Sequence, residues 1–424
     1  MRTAPEGLWE HDIVYTAAPG TEWEWLRVKV TGGKTNFWGR SSPRFAEIDF
    51  RAASLDGFDV DWPLTYEEIA PYYSRVERYI GVASTVQNRP SNPDGEYLPP
   101  MKFRCLHYIL AAGAEKLGVP YLLDRIAQLT VPHGSHPRCH FCGDCGSGCD
   151  TGSFFSPSWF TLAEAEKTGR LELRTNAIAC DHLYGTSASG FLPQLVGQPP
   201  FPDHVSASTI AWMPRWQNLK NPREEKFIRG YSVYPGGGRG EFPHFNNRFE
   251  EFASRFKRDI KRYYPAPAGF TIQAPSLPSR ANYVDIDPEV KDVFGIPALR
   301  FHFQWGPNEL MMWEHSKDVC REVLRAAGGE YWGAGEKPQS PGYSQHETGT
   351  ARMGSDAKKF VTNKYAQCHD VPNLYLCDAS IFPFCTDKTT TLGILAFALR
   401  TCEYWWTTCA APEARGPARC KMGK

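Results

Sequence analysis

Four cysteines lie close together in the first half of this 424-residue chain, with the spacing Cys139-x2-Cys142-x2-Cys145-x3-Cys149. Thiolates separated by two residues can wrap around a cubane iron–sulfur cluster, and this spacing is the run found in bacterial ferredoxins. A tetrahedral zinc site more often uses two C-x2-C pairs that lie far apart, and the sequence has no second pair. The run favours an iron–sulfur cluster, with zinc or no metal as alternatives, and a metal site over a disulfide framework.

The last cysteine of the run leaves the fourth ligand of such a cluster undecided. A proline usually follows the last cysteine in ferredoxins, whereas Asp150 follows Cys149 here. In ferredoxins with two clusters that cysteine serves the other cluster, and this chain has only one such run. Either Cys149 or a distant thiol such as Cys105 is therefore the fourth ligand.

A histidine opens a second chemical pattern, because His346 begins the run H-E-T-G-T-A-R-M-G. Histidine suits general-base catalysis, since its pKa lies near neutrality. On its own, a histidine such as His346 is more often a hydrogen-bonded structural residue than a base. Further along the chain, residues 373–383 read N-L-Y-L-C-D-A-S-I-F-P, and three threonines at 389–391 lead into an apolar helix.

These segments together resemble the C-terminal part of the glucose–methanol–choline (GMC) family of FAD-dependent alcohol oxidoreductases. The family form is H-x-x-G-T-x-R-M-G, then N-L-Y-V-x-D-A-S-x-F-P, then N-P-T-x-T-I before a helix. The resemblance implies an enzyme in which His346 is the catalytic base, and in which Asp378 and Ala379 contact the FAD.

The N-P-T step is where this chain departs from the family pattern. The family places His or Asn at the first position, where this chain has Thr389, a residue of shorter reach that can still donate and accept a hydrogen bond. The resemblance implies that Thr389 is the second catalytic residue. It also implies that the helix beginning near Thr391 directs its N-terminal dipole at the flavin, which favours the negative charge of reduced flavin.

A glycine-rich loop at 31–40 reads T-G-G-K-T-N-F-W-G-R. Glycine allows backbone N–H groups to approach an anion or a flat ring closely, although an ordinary tight turn has the same composition. The string resembles the family loop G-G-x-x-x-x-W-G, which passes beside the flavin. The resemblance implies cofactor contacts from five residues of the loop: Gly32, Gly33, Asn36, Trp38 and Gly39.

The cysteine run has a counterpart within the same family. Sugar-oxidising members, such as fructose dehydrogenase and glucoside 3-dehydrogenase, carry a cysteine cluster at a comparable place, and residues 142–153 and 189–193 most resemble the second of these. The resemblance implies a sugar or glycoside substrate, FAD and an iron–sulfur cluster as cofactors, and a small subunit or cytochrome as electron acceptor.

One element of the family is not found in the sequence, because no G-x-G-x-x-G turn occurs. Family members open with a strand, that turn and a helix, which together hold the FAD pyrophosphate. We expect this unit to be missing, a second gap near 179–182, and weak or no binding of FAD. An inactive remnant, or an electron-relay or interaction subunit without flavin, is the alternative to an active dehydrogenase.

The composition excludes several classes of partner. Lys plus Arg and Asp plus Glu are equal at 47 each, so the formal net charge is zero, which argues against a nucleic acid or an anionic membrane surface. No apolar run is long enough to span a membrane, and the first residues lack the apolar core of a signal peptide. The localisation stays open.

The resemblance implies an α/β fold of the mixed α+β kind, and periodicity and turn residues predict the elements within it. We expect an incomplete FAD-binding, Rossmann-like part formed by 1–188 and 336–424, and a sheet-and-helix substrate domain at 189–335. A capping box of Thr65 and Glu68 marks one helix start. Helices are predicted at 65–80, 107–118, 157–168, 246–263, 308–327 and after 391, and strands at 23–30, 171–178, 282–288, 297–303 and 373–383.

Overall fold

The computed structural model describes residues 14–25, 30–142, 145, 148–173, 210–237, 253–263, 268–343 and 346–410. Within these ranges the chain is a mixture of helices and short strands, which confirms the mixed fold class. The helices are α1 (Glu47–Phe50), α2 (Ala52–Asp56), α3 (Tyr66–Ile80), α4 (Cys105–Lys116), α5 (Thr161–Lys167), α6 (Ala253–Tyr263), α7 (Pro307–Ala326) and α8 (Thr391–Trp405). The strands are β1 (Tyr15–Ala17), β2 (Leu122–Leu123), β3 (Ala211–Trp212), β4 (Ser232–Gly237), β5 (Ala268–Gln273), β6 (Tyr283–Lys291) and β7 (Pro297–His302).

The predicted helices are confirmed with small shifts of their bounds. The start of α3 follows the predicted capping box, since Thr65 N donates to the Glu68 carboxylate at 3.0 Å. The helix predicted at 157–168 is shorter and forms α5. The helix predicted at 246–263 is described only as α6, because 246–252 lie outside the described residues.

The strands pair in three small sheets. Strand β7 lies between β1, which is parallel to it, and β6, which is antiparallel. Strands β4 and β5 form a regular antiparallel pair over six residues each, and β2 pairs with β3. Residues 282–288 and 297–303 were predicted as strands, and β6 and β7 confirm both predictions.

Two predicted strands are not strands where the structure describes them. Residues 23–25 of the segment 23–30 have no regular structure, and 26–29 lie outside the described residues. The same holds for 171–173 of the segment 171–178, whose remainder is not described. The alternation at Trp23 and Trp25 comes instead from packing, because both indole rings lie against Phe301 of β7.

The short strand predicted at 373–383 is also wrong. The segment forms one isolated bridge at Tyr375 and then a 3-10 turn, Ala379–Ile381. The turn forms because the Asp378 carboxylate accepts a hydrogen bond from Ser380 N at 2.8 Å, which competes with extended pairing.

Two hydrophobic cores hold these elements together. The first is rich in aromatic rings and is centred on Trp62, which packs against Phe45, Phe382 and Phe397 and is 1% exposed. The second is centred on Trp313 of α7, which is packed with α4 and with β4 and β5. The first core draws on segments of the predicted flavin-facing part, and the second lies mostly within the predicted substrate domain.

A buried ionic cluster joins the two cores. Lys388 Nζ lies 2.9 Å from the Asp49 carboxylate and 2.8 Å from that of Asp387, and all three side chains are almost fully buried. Asp387 in turn accepts a hydrogen bond from the hydroxyl of Ser232 on β4 at 2.6 Å. The segment just before α8 is thereby fixed to α1, beside the first core, and to β4, beside the second core.

Candidate functional site

The histidine turn, residues 346–354, is fixed by backbone hydrogen bonds to the segment 378–383. Ala351 N donates to Ser380 O at 2.9 Å, and Met353 N donates to Ile381 O at 2.8 Å. Met353 is fully buried in the first core, so the turn rests directly on that core. His346 itself is half-buried at the beginning of the turn.

The glycine-rich loop meets this turn through an ion pair. Lys34 Nζ lies 2.8 Å from the Glu347 carboxylate, and both groups are largely buried. Gly32 and Gly33 have φ values of 89° and 56°, in the left-handed region that favours glycine. A Cβ at Gly32 would lie 2.7 Å from the Asn36 amide, so the loop closes only with glycine there.

Asn36 and Trp38 hold the other side of the loop against the segment 153–158. The Asn36 side-chain oxygen accepts hydrogen bonds from Ser156 Oγ at 2.7 Å and Ser158 Oγ at 3.0 Å. The Trp38 indole N–H donates to Phe155 O at 3.4 Å. Gly39 follows at the end of the loop and is half-buried. The side chains of Asn36 and Trp38 thus position the loop backbone.

The start of α8 adjoins the end of the same loop. Thr389 Oγ1 donates to Ser41 O at 2.8 Å, which uses its hydroxyl proton. Thr391 is the first helical residue and is largely buried. A Cβ at Gly393 would lie 2.9 Å from the Phe45 ring, so the helix approaches this part of the chain as closely as glycine allows.

Asp378 and Ala379 complete the group of predicted cofactor contacts. One Asp378 oxygen caps the 3-10 turn, and the carboxylate is otherwise exposed, while Ala379 is buried. Four motifs that were predicted separately are therefore joined: the histidine turn, the glycine-rich loop, the segment 373–383 and the start of α8. The glycine-rich loop contacts the histidine turn through Lys34, and residue 41 behind it contacts the start of α8.

The protonation state of His346 follows from its surroundings. Burial lowers the pKa of His346 to about 4, and the positive charge of Lys34 acts in the same direction, while Glu347 opposes them. The imidazole is therefore neutral at pH 7. A neutral imidazole can accept a proton, which is the state that a general base requires.

An aromatic wall, formed by Trp23, Trp25, Phe301, Phe303 and Trp305, lies against the segment 339–342. The Trp23 ring is stacked on Phe301 with ring centroids 4.4 Å apart, and the rings of Trp25 and Phe301 are 5.0 Å apart. Trp305 packs edge-on against Phe303 at 5.0 Å. Trp23 and Trp25 are half-buried, whereas the two phenylalanines are buried.

The wall is held in place where the segments 22–24 and 337–342 run side by side in the same direction. Glu22 pairs with Lys337 at 2.7 Å, and Glu24 N donates to Pro341 O at 2.9 Å. Trp23 lies so close to Gly342 that a Cβ there would be 2.7 Å from the indole ring. Four residues after Gly342, the second segment reaches His346.

The cysteine loop, residues 139–149, holds its sulfur atoms at several hydrogen-bond donors. Gln128 Nε2 lies 2.8 Å from Cys139 Sγ and 4.0 Å from Cys145 Sγ, so these two sulfurs flank one amide. Cys149 Sγ accepts a hydrogen bond from Ser153 N at 3.2 Å. Phe141 N likewise donates to Cys139 Sγ at 3.3 Å. N–H donors aimed at sulfur suit a thiolate, and hydrogen bonds to the sulfurs tune iron–sulfur clusters.

Cys142 lies at the surface. Its sulfur and one ligand atom each of His140 and Asp150 all lie within 4.8 Å of one another, and all three residues are exposed. Ten cysteines between Cys105 and Cys402 form no disulfide bond. Cys105, the other candidate for the fourth ligand, begins α4 and is exposed.

Comparisons with known proteins identify the C-terminal region. Residues 278–398 match the family model described as GMC oxidoreductase. The chain is 26% identical to 2-methyl-1,2-propanediol dehydrogenase of Mycolicibacterium austroafricanum over 437 residues, which cover 86% of this chain and 79% of that protein. Residues 278–398 are therefore a C-terminal domain of the GMC oxidoreductase kind.

Other GMC oxidoreductases match over most of their length. The large subunit of fructose dehydrogenase from Gluconobacter japonicus is 21% identical, and the match covers 89% of this chain and 80% of that protein. The fold agrees with that of pyridoxine 4-oxidase from Mesorbium loti, with a TM-score of 0.52, 13% identity and coverage of 95% and 89%. Among the described residues, no helix combines the length and apolar character that crossing a bilayer requires.

Members of the GMC family use FAD. In the glycine-rich loop, Gly32 and Gly33 adopt left-handed backbone, and a Cβ at Gly33 would meet no atom within 4 Å. Sequence reasoning missed the aromatic wall, although the alternation of Trp23 and Trp25 was a signal for it. It also missed Lys34, which the family loop pattern leaves unspecified.

Proposed function

We propose that this chain is a GMC oxidoreductase that oxidises a CH–OH group of a sugar or glycoside, with His346 accepting the hydroxyl proton. The observation that carries the proposal is the ion pair between Lys34 and Glu347, which holds the glycine-rich loop beside a neutral histidine. FAD, when bound along that loop, supplies the hydride acceptor. The contacts to it are proposed for Gly32, Gly33, Asn36, Trp38, Gly39, Asp378, Ala379 and Thr391.

His346 and Lys34 would act together on the reacting hydroxyl. A neutral imidazole nitrogen takes the hydroxyl proton, and the Lys34 charge keeps the imidazole neutral until that moment. Glu347 neutralises Lys34 in turn, so the added proton on His346 is not left beside an uncompensated cation. Thr389 has its proton committed to Ser41 O, but its oxygen can still accept a hydrogen bond from a substrate hydroxyl.

The aromatic wall supports a ring-shaped substrate. Binding sites for small molecules are mostly apolar and aromatic, with a few polar groups that fix orientation. The C–H faces of a sugar ring can pack on indole rings, and Trp23 and Trp25 are half-buried with part of their surface available. Trp25→Ala should therefore raise KM for a glycoside more than it lowers kcat.

The cysteine loop would serve electron exit. We propose that Cys139, Cys142, Cys145 and Cys149 hold an iron–sulfur cluster, supported by their spacing and by the N–H donors to Cys139 and Cys149. A cluster, when bound, passes electrons on one at a time. A relative of this chain is named a large subunit, which supports a small subunit or a cytochrome as the electron acceptor.

The domain roles follow from the same arrangement. The flavin-facing part would comprise 1–188 and 336–424, and the substrate domain 189–335. The first core and the glycine-rich loop lie in the former, and β4 to α7 lie in the latter. Strand β1 pairs with β7, so the beginning of the described chain would belong to the substrate side in space.

A spectroscopic experiment tests the proposal. Protein purified without oxygen and supplied with FAD should show flavin bands together with a broad brown absorbance, and acid-labile sulfide that Cys142→Ser removes. Fructose and simple glucosides should bleach the flavin bands in a single turnover, and a small 1,2-diol is the matched comparison. Flavin bands that no sugar bleaches would refute the substrate class, and stoichiometric zinc without sulfide would refute the cluster. A brown protein without flavin would support the electron-relay alternative.

A further inference from the structure

Arg40 is a buried cation at the junction of the glycine-rich loop and the cysteine loop. Its side chain is only 4% exposed. Its guanidinium carbon lies 3.5 Å from the centre of the Phe154 ring. Its backbone has a φ of 63°, in the left-handed region that residues other than glycine seldom adopt.

The described residues give Arg40 few partners for its charge. One guanidinium nitrogen donates to Asn36 O at 3.0 Å, and the Nε atom is buried without a hydrogen-bond partner. No carboxylate of the described residues lies within ion-pair distance of it, whereas the buried Arg44 and Arg229 pair with Glu77 and Asp56. A buried charge without a counter-charge is strongly unfavourable, so an anionic group beside Arg40 is expected.

Two chain segments that contact Arg40 also carry the groups that donate hydrogen bonds to the cysteine sulfurs. Ala127 N donates to Arg40 O at 2.9 Å, and the next residue, Gln128, is the donor shared by Cys139 and Cys145. On the other side, the residue before Phe154 donates its backbone N–H to Cys149.

The charge of Arg40 also responds to the cysteines. Burial lowers the pKa of Arg40 to about 10, and the charges of Cys145 and Cys149 act against that decrease. The guanidinium therefore stays protonated at neutral pH.

We propose that Arg40 is the counter-charge of the group that the cysteine loop binds and that it sets the reduction potential of that group. The inference rests on the iron–sulfur cluster of the proposed function. A cluster with thiolate ligands is anionic, and each reduction adds one electron to it. A fixed buried cation stabilises the more negative, reduced form, so it raises the reduction potential. Arg40 would be a positioning residue for charge, since it touches neither substrate nor the reacting hydroxyl.

The test is a redox titration of the cluster in whole, anaerobically purified protein, with dithionite as reductant and the signal followed by electron paramagnetic resonance. Arg40→Gln removes the buried charge, and Arg40→Lys keeps it. Arg138→Gln is the matched control, because it removes an exposed charge next to Cys139. We expect Arg40→Gln to lower the equilibrium constant for reduction at least tenfold, about 59 mV for one electron. Arg40→Lys should change this equilibrium constant less than threefold, because it keeps the buried charge. Arg138→Gln should also change it less than threefold, because solvent screens the exposed charge that it removes.

Each outcome decides the matter. An Arg40→Gln protein that keeps its sulfide and its potential overturns the inference and leaves the cluster standing. Parent protein without sulfide overturns the cluster of the proposed function and this inference with it. Arg40→Gln could also lose its sulfide. In that case, sulfide retained in Arg40→Lys supports the counter-charge role of Arg40. Sulfide lost in both variants shows that the shape of arginine is what matters, and it overturns the inference.

Discussion

The histidine turn and the cysteine loop lie at opposite ends of the same glycine-rich loop, but they are built differently. The turn is held by backbone hydrogen bonds to 380–381 and rests on the fully buried Met353. The cysteine loop is held mainly through its sulfur atoms, and its Phe141 is 62% exposed. Backbone hydrogen bonds and core packing together fix the turn, whereas several contacts that fix the cysteine loop are made by its sulfur atoms.

This difference separates two kinds of preorganisation. A side chain fixed by a core is positioned before any ligand arrives, and its geometry is lost only with the core. A loop built around ligand atoms gains its stability from the bound group, because binding free energy is then folding free energy. The position of His346 should therefore be insensitive to loss of any group that the cysteine loop binds, but sensitive to damage in the first core.

The largest expected effect comes from the core beneath the histidine turn. Phe382→Ala should reduce the free energy of unfolding by about 3–5 kcal/mol, because the ring is fully buried against Phe45, Trp62 and Phe397. Urea denaturation followed by tryptophan fluorescence measures it. Phe141→Ala in the cysteine loop is the control and should change stability by less than about 0.5 kcal/mol. Equal losses in the two variants would remove the distinction between the regions.

The next effect concerns chemistry without stability. His346→Gln should lower turnover about a hundredfold or more, because the base is lost while the backbone of the turn is kept. Dye reduction by sugars gives the rate, and the flavin absorbance of the purified variant shows whether cofactor binding is kept. His369→Gln is the matched control, since that half-buried ring bonds to Gly354 O at 3.0 Å in the same region. A variant with the parent rate would make His346 structural.

The pH dependence of turnover sharpens the assignment further. Because the pKa of His346 is lowered to about 4, kcat/KM should stay flat from pH 8 to about pH 5 and fall only as the pH approaches 4. A base with an ordinary histidine pKa would lose roughly thirtyfold by pH 5. In the unfolded chain His346 binds a proton near pH 6.5, so its contribution to stability also declines between pH 6.5 and 4. A decline in turnover beginning at pH 6.5 would place the base elsewhere.

The smallest effect is expected at Thr389. Thr389→Val removes the hydrogen bond to Ser41 O and should cost about 1 kcal/mol of stability. Thr389→Ser keeps the hydroxyl and is the control. If Thr389 also accepts a hydrogen bond from substrate, Thr389→Val should raise KM as well, which steady-state kinetics with a glycoside would detect. An unchanged KM would confine Thr389 to fixing the start of α8.

The elements that local rules determine were predictable from the sequence. The start of α3 has its capping box where Thr65 and Glu68 indicated it, and β6 and β7 follow their alternation. The histidine turn was identified by resemblance to the GMC family rather than by physics. No local rule distinguishes His346 from His107, whose pKa burial also lowers to about 4 although it lies in the second core region.

The parts that sequence reasoning missed depend on contacts between distant segments. The alternation at 23–25 is compatible with a strand and equally with two indole rings that pack on one neighbour. Only the position of Phe301 shows that the second alternative is correct. The segment 373–383 has the composition of a buried strand. The Asp378 carboxylate nevertheless accepts a hydrogen bond from the nearby Ser380 N, and the chain forms a 3-10 turn there. Arg40 gave no signal in the sequence, because its burial against Phe154 depends on a contact between distant segments.

The ion pair between Lys34 and Glu347 joins residues 313 positions apart, and the hydrogen bond between Thr389 and Ser41 joins residues 348 apart. Contacts of such sequence separation close large loops, and folding slows as the mean separation of contacts rises. The contacts of the histidine turn and of the start of α8 with the glycine-rich loop should thus be among the last to form during folding. Pulsed hydrogen exchange would then show α3 protected early and the backbone of the histidine turn protected late.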